Sequence, residues 1–139
     1  MRYLNKSATK TMNKLVSLLE DGHCKIDNTK GAFMPVHVEE INYIKGFAGH
    51  KKVSGPVYSV AHYYEQNGDL CCDPDMTLFK FNGYYVPMTF EMQGSALARY
   101  DKAIFQEESG EWKICRILQT DITTFCNTWM RNIKEQQKL

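Results

Sequence analysis

The residues of this chain that are best suited to chemistry lie in one segment, residues 62–76. It holds one imidazole, four carboxylates and no lysine or arginine. A histidine beside carboxylates can serve as a general base or a metal ligand, and carboxylates without cations can bind a basic protein surface. The predicted binding residues are His62, Tyr64, Glu65, Asp69, Asp73 and Asp75.

The dipeptide Asn67-Gly68 determines how these side chains would meet. Both central residues of a type I′ turn have positive φ, which Asn and Gly tolerate, so the dipeptide predicts a β-hairpin. A two-residue turn pairs His62 with Asp73, with Cβ atoms about 5 Å apart. The simpler interpretation is a local brace, in which His62 donates to Asp73 and the Asp73-Pro74-Asp75 turn ends the ladder. The alternative is a catalytic or metal-binding pair.

The five cysteines predict reduced thiols in a cytoplasmic protein. Five is an odd number, and Cys71 and Cys72 are adjacent, where disulfide geometry is hard to reach. Lysines interrupt the N-terminus before an apolar run of about 7 to 15 residues can form, so we expect no signal peptide. We expect no membrane span either, and no cofactor. A zinc site built from His23, Cys24 and the Cys71-Cys72 pair is an alternative, but it lacks C-x-x-C spacing.

The motifs of common enzyme classes are missing from the sequence. It has no G-x-S-x-G, no Walker-type loop, no G-x-G-x-x-G and no H-E-x-x-H. A metal-assisted hydrolase, the alternative function, would have to use the histidine and carboxylates of residues 62–76. The sequence favours binding over catalysis, with a protein as the partner, and it leaves the oligomeric state open.

Charge is distributed unevenly along the 139 residues, although the net charge is only +1. Residues 1–52 carry nine basic and five acidic side chains. Residues 53–79 carry no basic and four acidic side chains, and residues 80–139 carry eight basic and seven acidic ones. The total argues against a strongly basic nucleic-acid binder. Weak nucleic-acid binding through the first helix is a further alternative, which would use Arg2, Lys6, Lys10 and Lys14.

Aromatic rings crowd the segment from residue 57 to residue 92. Rings on a sheet can stack single-stranded bases where basic side chains hold the phosphates. No lysine or arginine lies between Lys52 and Lys80. We therefore expect core on one face, a protein contact surface on the other, and no nucleic acid on these rings. The rings are Tyr58, Tyr63, Tyr64, Phe79, Phe81, Tyr84, Tyr85 and Phe90.

The rest of the chain predicts one α+β domain over residues 1–139. A first helix begins near Ser7 or Thr9 and ends at Gly22, and Thr120 or Asp121 caps a final helix. Both helices have an apolar stripe, formed by Met12, Leu15, Val16 and Leu19 in the first and by Ile122, Phe125, Trp129 and Ile133 in the last.

Short alternating segments between the helices predict an antiparallel sheet. Strands are expected over 33–44, 57–66, 76–81, 84–92 and 100–105, and a last one from residue 112 to residue 118. A second Asn-Gly, at Asn82-Gly83, extends the hairpin to a meander over 57–92, and Gly94-Ser95-Ala96 suits a bend or a short helical turn. The prediction is a bent sheet of about five strands with both helices on one face.

The string HYYEQNGDL, His62–Leu70, resembles a motif of an uncharacterised bacterial domain family. In that motif two variable residues and Asp-Pro-x-Met follow, which matches Asp73, Pro74 and Met76 here. Such proteins look like cargo of plasmids, phages and conjugative elements. The resemblance implies a bacterial cytoplasmic origin and a shared hairpin, and it implies no catalytic role. With the residues above, it predicts a small accessory protein of a mobile element that binds through its acidic, aromatic hairpin.

Overall fold

The computed structural model of the protein describes residues 1–94 and 98–139. In chain order the elements are α1 (Lys6–Ser17), β1 (His23–Ile26), β2 (Val36–Lys45), a 3-10 turn (Phe47–Gly49), β3 (Ser54–Gln66), β4 (Asp69–Phe81), β5 (Tyr84–Met92), β6 (Arg99–Lys102), β7 (Ile104–Gln106), β8 (Trp112–Ile114) and α2 (Arg116–Gln136). Strands β1 to β6 form one antiparallel sheet in sequence order, and β7 and β8 form a separate hairpin. The predicted α+β class is confirmed.

The two Asn-Gly turns produce the predicted meander. Asn67 and Asn82 have φ of 53°, and the glycines after them have φ of 85° and 81°. Strands β3, β4 and β5 pair continuously through these turns. One detail was wrong: β4 begins at Asp69, because a bulge lets the ladder continue through Asp73-Pro74-Asp75 instead of ending there.

Both helices lie on one face of the sheet and bury their apolar stripes there. Met12, Leu15, Trp129 and Ile133 are all at most 5% exposed. Phe125 differs from the prediction, because it is 40% exposed and meets Phe90 only edge to face.

The helix ends also differ from the prediction. Asn5 caps α1 by accepting from the Ala8 N–H, and the helix stops at Ser17, before Gly22. Helix α2 starts at Arg116, one turn before Thr120, because the extended Cys115 already provides the first carbonyl acceptor.

The other face of the sheet is covered over only half of its area. There the β7–β8 hairpin and the 3-10 turn pack on a second apolar cluster. Phe47 stacks on Phe79 at 4.0 Å between centroids, and Trp112 closes on Phe47 edge to face. The remaining half of this face carries no covering element among the described residues.

Two further predictions concern segments outside the sheet. Gly94 has a φ of 87°, but the bend predicted at Gly94-Ser95-Ala96 falls largely on Ser95 and Ala96, which lie outside the described residues. Neither α1 nor α2 is long and apolar enough to cross a membrane.

Candidate functional site

The structure distributes the six predicted binding residues over two faces of the β3–β4 hairpin. Successive side chains of a strand point to opposite faces. His62 and Tyr64 therefore lie on the side of the helices, whereas Glu65 and Asp75 lie on the uncovered side. Asp69 is exposed beside the turn, opposite Gln66, and the half-buried Asp73 lies in the bulge between the Ala61–Asp75 and Tyr63–Cys72 pairs. The four carboxylates do not converge on one cleft.

His62 is a core residue. It is 5% exposed, and its ring meets Trp129 edge to face at 5.4 Å. Burial lowers the pKa of His62, and the nearby Asp73 opposes this shift only in part. The buried Nε2 has no hydrogen-bond partner among the described residues, so this nitrogen does not form the predicted brace. The bulge replaces the expected His62–Asp73 pair by Ala61 opposite Asp75.

The uncovered half of the second face collects carboxylates and tyrosines from five strands, and we call it the acidic face. Strand register joins them: β2 pairs with β3, β3 with β4, β4 with β5 and β5 with β6. The members of the acidic face are Glu39, Tyr63, Glu65, Asp75, Glu91 and Tyr100.

Two of these carboxylates are direct cross-strand neighbours. Asp75 on β4 pairs with Glu91 on β5. Like charges in such positions repel and destabilise a sheet. Ser59 donates a hydrogen bond of 2.7 Å to Asp75. Burial raises the pKa of Asp75, the Ser59 hydrogen bond partly offsets this, and the charge of Glu91 adds to the rise.

Tyrosines flank the carboxylate pair. Tyr100 on β6 pairs with Glu91 on β5 and is 57% exposed. Tyr63 is half-buried and meets His37 edge to face at 5.1 Å. Burial, followed by the charges of Asp75 and other nearby carboxylates, raises the pKa of Tyr63. Both hydroxyls stay protonated at neutral pH and present aromatic surface beside negative charge.

No ion pair among the described residues neutralises a carboxylate of the acidic face. The two ion pairs among residues 1–94 and 98–139 are Arg99–Asp101 and Lys113–Glu111, and neither uses a carboxylate of this surface. Lys102 lies at the edge of the sheet, with Nζ 5.8 Å from the centre of the Tyr100 ring. The carboxylates at the centre therefore remain available to a cation from outside.

The arrangement does not favour metal or thiol chemistry. In the part of the chain that the structure describes, no three His, Cys, Asp or Glu side chains form a group that could hold a metal ion. Two strands separate His23 and Cys24 on β1 from the cysteines on β4, so the zinc alternative is wrong. Burial, with Glu91 and Asp75 nearby, raises the pKa of Cys72 to about 11, which keeps the thiol protonated.

Sequence reasoning found Glu65 and Asp75 but missed Glu39, Glu91 and Tyr100. A signal for Glu39 was present, since His37 and Glu39 alternate with the buried Val36 and Val38. The register of the Asn82-Gly83 turn alone would place Phe90 opposite Asp75, and a bulge between Thr77 and Leu78 puts Glu91 there instead, so the sequence carried no clear signal for Glu91.

Comparison with known proteins places the chain in a sequence family but adds no function. A family model described as a domain of unknown function, DUF6908, matches residues 6–139. No curated protein and no solved structure matches the chain.

Proposed function

The chain belongs to the DUF6908 family of domains of unknown function, and we propose that it is a binding protein whose acidic face takes a basic segment of a protein partner. The observation that carries the proposal is the Asp75–Glu91 pair, two carboxylates held opposite each other, neither of which forms an ion pair among the described residues. A basic partner would remove the repulsion between them on binding.

The tyrosines indicate which basic side chain fits best. A guanidinium group is planar, stacks on aromatic rings and can bond a carboxylate through two N–H groups at once. Tyr63 and Tyr100 lie on either side of the carboxylate pair, and Tyr100 is largely exposed. We therefore expect arginine to be preferred over lysine.

The β3–β4 hairpin has a smaller part in this proposal than the sequence suggested. Glu65 and Asp75 contribute from its uncovered side, and the face continues across β5 and β6. The alternative of a metal-assisted hydrolase rested on His62 together with the carboxylates. His62 lies under α2, on the other side of the sheet from Asp75, so the two do not share a site.

A labelled peptide of about nine arginines provides a direct test by fluorescence anisotropy. Replacing both Asp75→Asn and Glu91→Gln should weaken binding about tenfold or more, equivalent to about 1.4 kcal/mol. The matched control is Glu107→Gln with Glu108→Gln, which removes the same charge from the exposed β7–β8 loop. An oligolysine of equal length should bind the native protein more weakly.

Two results would contradict this proposal. Equal losses in the face variant and the loop control would mean that the peptide responds only to overall charge. A larger loss from Asp69→Asn with Asp73→Asn would move the site to the hairpin tip. Sedimentation of the free protein would show whether the basic partner is a second copy of this chain.

Two finer points of the proposal rest on the sequence. The five cysteines are free thiols and three of them are buried, which suits a reducing cytoplasm. The His62–Leu70 motif supports a bacterial protein carried by a mobile element, in which the acidic face would serve an accessory role.

A further inference from the structure

Three cavities are linked by shared lining residues, and two of them lie beside α1. We call the three together the α1 groove. The first is apolar, with a volume of about 220 Å³. Its floor is the stacked pair Phe47 and Phe79, whose planes are only 13° apart. Tyr3, Phe81 and Tyr84 form its walls and are between 37% and 53% exposed.

The second and third cavities are basic. The second, of about 500 Å³, shares Tyr3 and Tyr84 with the apolar cavity and adds Lys6 and Lys10. The third, of about 490 Å³, shares Lys10 and adds further lysines, Lys14 and Lys134. Lys6, Lys10 and Lys14 are spaced four residues apart on α1, so they follow the groove for about 12 Å.

No acidic side chain lies among the described residues that line these cavities, and α1 has no acidic residue in its sequence. The start of α1 also lies at the second cavity, where the helix dipole adds positive potential. The groove therefore combines an aromatic pocket with a run of cations.

The aromatic wall has a fixed position. The Tyr3 and Tyr84 rings are 4.6 Å apart between centroids. Next to Tyr3, the Leu4 N–H donates to the Tyr85 carbonyl, and Leu4 is 2% exposed. On the other side, buried Gln119 both accepts from the Arg2 N–H and donates to the Arg2 carbonyl. The pocket is thus built before any ligand arrives.

We propose that the α1 groove binds single-stranded nucleic acid. A base would stack on Tyr3 and Tyr84 in the apolar cavity, and the following phosphates would lie along Lys6, Lys10 and Lys14. Base stacking on aromatic rings together with lysines along the backbone is the usual mode for single strands. The bases of a duplex are already stacked on each other, and a mononucleotide would leave the further lysines unused.

The sequence predicted no nucleic acid on the aromatic rings, because no lysine or arginine lies between Lys52 and Lys80. Folding places Tyr84 beside Lys6 and Lys10 from the N-terminal helix. The exposed rings and the basic helix are separate features of the sequence, and they form one surface only in the folded chain.

The test uses fluorescein-labelled oligothymidine of about 12 nucleotides, with anisotropy measured over a series of salt concentrations. Tyr3→Ala and Tyr84→Ala should each weaken binding about fivefold or more. Lys6→Gln with Lys10→Gln should reduce the slope of log K against log salt by about 1.4. The matched controls, Tyr43→Ala and Lys30→Gln with Lys113→Gln, replace exposed residues outside the groove and should change the affinity less than twofold.

Several outcomes would overturn the proposal. Unchanged affinity in the tyrosine variants, with melting temperatures equal to the native value, would mean that the oligonucleotide is held by charge attraction alone. Equal binding of a duplex would exclude base stacking, and complete competition by thymidine monophosphate at equal concentration would reduce the groove to a mononucleotide site. The Asp75→Asn, Glu91→Gln variant should bind the oligonucleotide no more weakly than the native protein, which separates this test from that of the acidic face.

Discussion

The acidic face and the α1 groove are surfaces of opposite charge on a chain whose net charge is +1. They also differ in what positions their side chains. Hydrogen-bonded strands fix every residue of the acidic face, whereas Tyr3, a wall of the groove, depends on contacts of a segment that precedes α1. A near-neutral net charge can thus conceal two surfaces of opposite charge.

The largest expected effect comes from the core that both surfaces share. Trp129 is 5% exposed and packs against His62 on β3. Trp129→Ala should lower the free energy of unfolding by about 3–5 kcal/mol, because a large cavity remains. Urea denaturation measures this loss, and Phe125→Ala, at a 40% exposed position of the same helix, should cost clearly less. Equal costs would mean that Trp129 is not the central contact.

A smaller effect should separate the two surfaces. Gln119 is 1% exposed, and its side chain bonds both Arg2 backbone groups and the Pro87 carbonyl. Gln119→Ala leaves these groups without partners and should cost about 1–3 kcal/mol. Hydrogen exchange should show faster exchange at the Leu4 amide and unchanged protection at Val60. Loss of protection at both amides would show that the N-terminal segment and the sheet unfold together.

The smallest effect should be a gain in stability. Glu91→Gln removes the like charge opposite Asp75 and should stabilise the protein by about 0.2–1 kcal/mol at neutral pH. Thermal or urea unfolding measures the gain, and Glu107→Gln on the exposed loop is the control. A destabilised Glu91→Gln protein would indicate that the hydrogen bond of 3.4 Å that Glu91 accepts from Gln93 Nε2 outweighs the repulsion.

The pH dependence of that gain follows from Asp75. Burial raises the pKa of Asp75 above its ordinary value of 3.8, so the folded state binds this proton more tightly than the unfolded chain does. The resulting cost in stability is present above the raised pKa and is removed as pH falls through it. The advantage of Glu91→Gln should therefore shrink at acid pH, and a constant advantage would contradict the repulsion argument.

The sequence alone predicted the α+β class and the central meander, because the signals for them are local. The two Asn-Gly turns required positive φ and so fixed the meander, and the stripe of Met12 and Leu15 identified the buried side of α1. The helix boundaries were predicted less accurately. Helix α2 begins where the Cys115 carbonyl accepts the first helical hydrogen bond, and no residue type in the sequence indicates that bond. The bulge between Ala61 and Tyr63, also without a clear signal in the sequence, placed Asp75 opposite Ala61. As a result, His62 does not pair with Asp73 as predicted.

Only the tertiary structure decided which residues share a surface. Asp75 lies opposite Glu91, and Glu91 lies opposite Tyr100, because of the register in which β4, β5 and β6 pair. A shift by one residue would turn each side chain to the other face. Tyr3 meets Tyr84 because the N-terminal segment docks on β5 through a backbone bond. The composition of a chain fixes its net charge. Which residues share a surface depends on their distances in space, and folding sets those distances between residues far apart in sequence.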